Sequence, residues 1–129
     1  VLRVKLQTVD VWNTQRNEIA EHYLDELKQT ELVLPFVPEW AKPVWHLFVV
    51  HSANRNKLQQ NLADVGIATI IHYPIPPHLS AAYKELYFES RRYPIAESLS
   101  ERVLSIPIGP HLKMLDVKQV IQTINSGTN

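Results

Sequence analysis

The 129-residue chain is of a size to make one compact domain without a disulfide or metal staple. Its 13 basic and 13 acidic residues cancel, so it lacks the basic footprint that a nucleic-acid or anionic-membrane partner requires. With no cysteine, disulfides, thiolate catalysis and cysteine-ligated zinc are excluded, and a cytoplasmic setting fits.

Val1 to Lys28 contains no Gly or Pro. Trp12, Ile19, Tyr23 and Leu27 recur at sevens and fours with Ala20 and Leu24 alongside, which predicts a helix, or two helices with a kink near Thr8 to Asp10. The opening residues Val1 to Leu6 have neither the charged head nor the cleavage site of a signal peptide. They read as the middle of a helix, and with no initiator Met the chain is expected to be a fragment. Glu31 to Pro35 is predicted as a short strand, Phe36 to Pro43 as a proline-rich loop, and Val44 to His51 as a strand rich in β-branched and aromatic residues. A helix over Arg55 to Val65, closed by Gly66, leads to a strand over Ile67 to His72.

Tyr73 to His78 then places three prolines in six residues, a stiff extended loop. Leu79 to Leu86 is predicted as a short helix and Tyr87 to Tyr93 as an exposed polar stretch. Pro94 opens a helix with Ile95, Leu99 and Val103 on one side. A strand over Val103 to Pro107 and a loop over Gly109 to Lys113 follow. The last helix carries the stripe Val117, Val120, Ile121 and Ile124, ahead of a frayed tail from Ser126. This order predicts an α+β (α/β) fold, a small antiparallel or mixed sheet packed with helices, including one crossover unit.

Six histidines stand out: His22, His46, His51, His72, His78 and His111. None forms an i, i+4 pair, and no carboxylate lies close in sequence to His72, so no metal-ligand spacing is present. His22 reads as part of a solvated helix face, and His46 as either a half-buried strand histidine or a site residue. The three glycines are far apart, which excludes a P-loop and a dinucleotide fingerprint. There is no Gly-x-Ser-x-Gly elbow. Arg91 and Arg92 read as solvated surface. The most informative stretch is Ile70-Ile71-His72-Tyr73-Pro74-Ile75-Pro76-Pro77-His78, where a strand hands two imidazoles and a phenol to a loop stiffened by proline. Such groups bond hydroxyls and phosphates, and a stiff loop loses less entropy in holding them. The residues alone leave a second reading open, in which the prolines cap a strand and the histidines are surface.

The runs Pro43 to Val50, Gly66 to Thr69 and His72 to His78 resemble the small domain of the DegT/DnrJ/StrS aminotransferases. So do Tyr83, Pro94 to Glu97, Leu104 to Ile108 and Pro110 to Leu112, while Val1 to Leu6 with Trp12, Asn13 and Arg16 is similar to the helix joining that family's two domains. Together these pieces cover nearly the whole chain in order. The resemblance implies a fold-type I PLP enzyme that aminates nucleotide-linked keto-sugars, as in amino-sugar, lipopolysaccharide or antibiotic-sugar biosynthesis. It divides the chain into a linking helix region, 1–28, and a small C-terminal domain, 29–129, with the large PLP-binding domain absent.

In that family the Schiff-base lysine lies in the large domain, and no lysine here falls in its motif. No catalytic, cofactor or metal residue is therefore assigned to this chain, which is expected to be inactive alone. Substrate binding is expected from His72 and Tyr73, then His78 and His46. The implied partners are the missing large domain, a second copy in a homodimer, a nucleotide-sugar and glutamate as amino donor, with neither nucleic acid nor membrane. The segment Lys113 to Asp116 departs from the pattern in lacking a Ser or Thr cap, and Glu85 to Arg92 matches nothing strongly. A different reading is a stand-alone binding or regulatory module derived from the family. Val1, Val4, Leu6, and Trp40 or Trp45 are the expected exposed apolar surface, favouring self-association.

Overall fold

A computed structural model describes residues 1–86 and 92–127. The first helical segment is two helices, α1 over Leu2–Leu6 and α2 over Val9–Glu26, parted at Gln7 and Thr8. The break matches the predicted kink. Ile19, Ala20, Tyr23 and Leu27, spaced by one face of α2 and its end, are buried, whereas Val1, Leu2, Val4 and Leu6 all stand exposed.

Strand β1 (Phe48–His51) pairs antiparallel with β2 (Val103–Ile106), in the register Phe48 with Ile106 and His51 with Val103. Outside this pair, Val33 bridges to His51 on one edge and Ile70 to Ser105 on the other, both antiparallel. The order across the sheet is therefore Val33, β1, β2, Ile70. β1 and the Ile70 segment both run opposite to β2, hence parallel to each other. Helix α3 (Arg55–Asp64) carries the chain from one to the other across β2, the predicted crossover.

The strands are shorter than their sequences predict. Glu31 to Pro35 contributes only the bridge at Val33, and Ile67 to His72 only the bridge at Ile70. Val44 to His51 pairs only from Phe48, because Trp45 takes φ 44° and interrupts the extended backbone. His46 is thus outside the strand, and exposed. Trp45 is not free apolar surface either. Its ring lies 5.1 Å from that of Phe48, at the rim of the core, while Trp40 is exposed as expected.

Two helix ends are explained locally. Gly66 takes φ +79° after α3, and its N–H donates to the Ala63 carbonyl. The N–H of Ile67 reaches back to the Leu62 carbonyl, so the last turn is closed by the paired bonds of a Schellman motif. Helix α5 (Met114–Gly127) starts without Ser or Thr, but the Asp116 carboxylate accepts the Lys113 N–H, the return half of a capping box. It continues through Ser126 and Gly127, so the predicted fraying does not begin there.

The predicted helix over Leu79 to Leu86 is two 3-10 turns, Pro77–Leu79 and Ala81–Leu86. Of the polar stretch Tyr87 to Tyr93, residues 87–91 lie outside the described residues; Arg92 and Tyr93 are exposed. Helix α4 is Pro94–Arg102. Of the residues expected on one side of it, Ile95 and Leu99 are exposed, while Val103 is buried and belongs to β2.

The core sits between the sheet and helices α2, α3 and α5. Tyr23, Leu27, Phe48, Val50, Leu62, Leu104, Val117 and Ile124 have no exposed surface. Each large apolar side chain among them contributes about 1.5–3 kcal/mol by leaving water. The Tyr23 hydroxyl donates to the Pro107 carbonyl at 2.8 Å, which ties α2 to the chain leaving β2. Burial pushes this phenol well above its ordinary range.

Candidate functional site

The proline loop leaves the sheet at Ile70, whose N–H and C=O both pair with Ser105 of β2. Two residues on, His72 Nδ1 lies 2.9 Å from the Ser105 hydroxyl. The His72–Tyr73 peptide is cis, and the two rings meet edge to face at 5.7 Å. His72 is half-buried; Tyr73 is 73% exposed. The loop's first imidazole is therefore anchored to the sheet, and its phenol faces outward.

At the other end of the loop, His78 Nε2 lies 3.0 Å from Glu97 Oε1 of α4, with both side chains largely buried. The same carboxylate oxygen accepts the Tyr93 N–H at 3.4 Å, and the Tyr93 ring stands edge-on to His78 at 4.9 Å. His78 thus spends one ring nitrogen on joining the loop to the start of α4. The stiff segment is held at both ends, by Ser105 and by Glu97. His46 lies on neither anchor and is exposed.

Sequence reasoning assigned no role to Ser105 or Glu97. The available signal for Ser105 was a hydroxyl in a strand that otherwise reads Val-Leu-Ile, and all four residues of β2 are buried. For Glu97 it was a carboxylate in the first turn after Tyr93-Pro94, where it meets the free N–H groups of a helix start.

A small cleft of about 150 Å³ lies elsewhere, between the β1–α3 turn and the end of α5. Ser52, Asn54, Lys57 and Asn61 line it, and it is smaller than the roughly 300–1,000 Å³ of a typical ligand site. No group of three or more His, Asp or Glu able to hold a metal occurs among the described residues. No helix among them is long and apolar enough to cross a membrane.

PLP chemistry needs a sheltered lysine amine that can lose its proton. All seven lysines, Lys5, Lys28, Lys42, Lys57, Lys84, Lys113 and Lys118, are exposed.

A mixed helix–sheet domain with an anchored His-Tyr loop on its surface defines the class: a small α+β domain offering polar groups outward. The sequence matches the DegT/DnrJ/EryC1/StrS aminotransferase family over residues 1–125, and the chain belongs to that family. It is 48% identical over 128 residues to the erythromycin biosynthesis sensory transduction protein EryC1 of Saccharopolyspora erythraea, covering 98% of this chain and 35% of that protein. It is 42% identical over 125 residues to the dTDP-3-amino-3,6-dideoxy-alpha-D-galactopyranose transaminase of Aneurinibacillus thermoaerophilus, covering 97% and 34%. Among solved structures, S. venezuelae DesV in complex with a ketimine intermediate superposes with a TM-score of 0.96 at 39% identity. That likeness covers 100% of this chain and 35% of DesV. The chain spans about a third of the length of the relatives it matches.

Proposed function

We propose that this chain is the C-terminal small domain, with its linking helix region over 1–28, of a PLP-dependent aminotransferase acting on nucleotide-linked keto-sugars. The observation that carries the reading is the superposition on DesV over the full chain but only 35% of that enzyme, together with the family match. In this reading PLP and its lysine belong to the remaining two-thirds of the protein, and the chain alone is inactive. That division is supported by the chain's covering only about a third of the relatives it matches.

His72 and Tyr73 act as substrate-positioning groups, with His78 and His46 completing the proposed set. The support for His72, Tyr73 and His78 is the loop's two anchors, which hold polar groups in place before a ligand arrives; His46 rests on the family resemblance alone. Glutamate is the proposed amino donor, the cytoplasm the proposed location, and a homodimer the proposed assembly.

The test uses full-length protein with PLP, glutamate and a keto-sugar nucleotide. Amination of the sugar is expected, and none from the 129-residue chain under the same conditions. Turnover by the chain alone would sink the division of labour. Failure of the full-length protein across nucleotide-linked keto-sugars would sink the aminotransferase reading. A second reading, a stand-alone binding or regulatory module, draws on the sensory-transduction name of the Saccharopolyspora relative. It requires a native mass equal to this chain's 14.9 kDa, whereas the enzyme reading requires about three times that.

A further inference from the structure

We infer that Ser105 is a positioning residue that sets the tautomer of His72, so that the imidazole meets a ligand as a hydrogen-bond donor through Nε2. The inference rests on the proposal that His72 faces the substrate. Ser105 is 6% exposed on β2, and its backbone is locked to Ile70 on the same side of the strand. Its hydroxyl lies 2.9 Å from His72 Nδ1 and has no other partner among the described residues.

Two arrangements satisfy that distance. If Nδ1–H donated to Ser105 Oγ, the buried serine proton would be left without an acceptor, which costs the desolvation of that group. If Ser105 Oγ–H donates to Nδ1, both polar atoms are satisfied and the ring proton of the neutral imidazole sits on Nε2. The second arrangement is the one the burial selects.

Nε2 remains open. Among the described residues only Asn17 Oδ1 is a buried side-chain polar atom without a partner. Nε2 of His72 has no partner among the described residues and is not enclosed in this way, so solvent or a ligand reaches it. A neutral donor there suits an acceptor oxygen, such as a sugar hydroxyl or a phosphate oxygen of a nucleotide-linked sugar. The adjacent Tyr73 hydroxyl can donate or accept, so the pair offers one fixed donor beside one adaptable group.

Neutron diffraction from crystals of the full-length protein, at a pH where the imidazole is neutral, reads the tautomer directly. Deuterium is expected on His72 Nε2 and on Ser105 Oγ pointing at Nδ1, with Nδ1 bare. Deuterium on Nδ1, alone or together with Nε2, overturns the inference. Kinetics supply the second arm. Ser105→Ala is expected to raise KM for the keto-sugar nucleotide roughly fivefold, with kcat and KM for glutamate within about twofold of wild type. Equal damage to both substrates would mark a merely structural serine and overturn it. Absence of any sugar amination by wild-type protein would instead remove the substrate reading, while the neutron result still decides the tautomer.

Discussion

Helices α4 and α5 carry similar apolar spacing and bury it very differently. On α5, Val117, Val120, Ile121 and Ile124 all lie inside the core. On α4, Ile95 is 76% exposed and only Ser100 is buried. The same contrast separates α2 from α1, whose Leu2, Val4 and Leu6 face outward. An amphipathic stripe states that a face has to be covered, not that its own chain covers it. The molecule therefore has an inner half, α2, α3, α5 and the sheet, which the chain completes by itself. Its outer half, α1, α4 and the proline loop, leaves apolar side chains such as Leu6, Ile95 and Ile75 exposed.

The sharpest way to break that contrast is a cavity in the inner half. Ile121 is 2% exposed, and Ile121→Ala is expected to destabilise the purified chain by about 2–5 kcal/mol in urea unfolding. A loss under about 1 kcal/mol would mean that the α5 face packs loosely and that the two halves differ less than their burial implies.

A backbone effect comes next. An added Cβ at Gly66 meets nothing within 4 Å, so Gly66→Ala tests the +79° φ alone. The expected cost is about 1 kcal/mol. No cost would show that the end of α3 relaxes freely and that the crossover is not fixed by its Schellman motif.

A similar cost of about 1 kcal/mol is expected for Tyr23→Phe, which leaves the Pro107 carbonyl without its donor. This change also carries a pH signature. The Tyr23 phenol is raised by burial, so the folded state holds its proton more tightly than the unfolded chain. Its contribution is complete below the unfolded value of about 10 and is lost as pH rises above it. Wild-type stability should therefore fall above about pH 10, and Tyr23→Phe should flatten that fall. An unchanged alkaline profile would mean that Tyr23 is not the group responsible.

The inner half was largely legible in the sequence because its signals are local. The α3 boundaries, the turn at Gly66 and the α5 stripe each rest on residues a few positions apart. The strands were less so, since prolines and the left-handed Trp45 shorten pairing in ways that β-propensity does not register. At the candidate site, prolines marked the His72–His78 loop, and spacing could not reveal what holds it. Its anchors join His72 to Ser105 and His78 to Glu97, 33 and 19 residues apart, and only the folded chain brings them together. The single unpartnered buried side-chain acceptor among the described residues, Asn17 Oδ1, was equally invisible in sequence.

The smallest expected effect falls on the outer half. Ile95→Ser places a hydroxyl where the side chain is 76% exposed, and serine and isoleucine have similar helix propensity. Unfolding of the purified chain should change by less than about 0.5 kcal/mol. Removing an exposed apolar group should also lower self-association, read as a smaller weight-average mass by light scattering at high concentration. In the full-length protein the proposal of a covering large domain makes a different demand. If α4 is covered there, the same substitution lowers the Tm by several degrees, since one kcal/mol corresponds to roughly 2–4 °C in a larger protein. A null effect in both settings would mean that Ile95 is ordinary exposed surface, and that the open stripe of α4 is no sign of a missing partner.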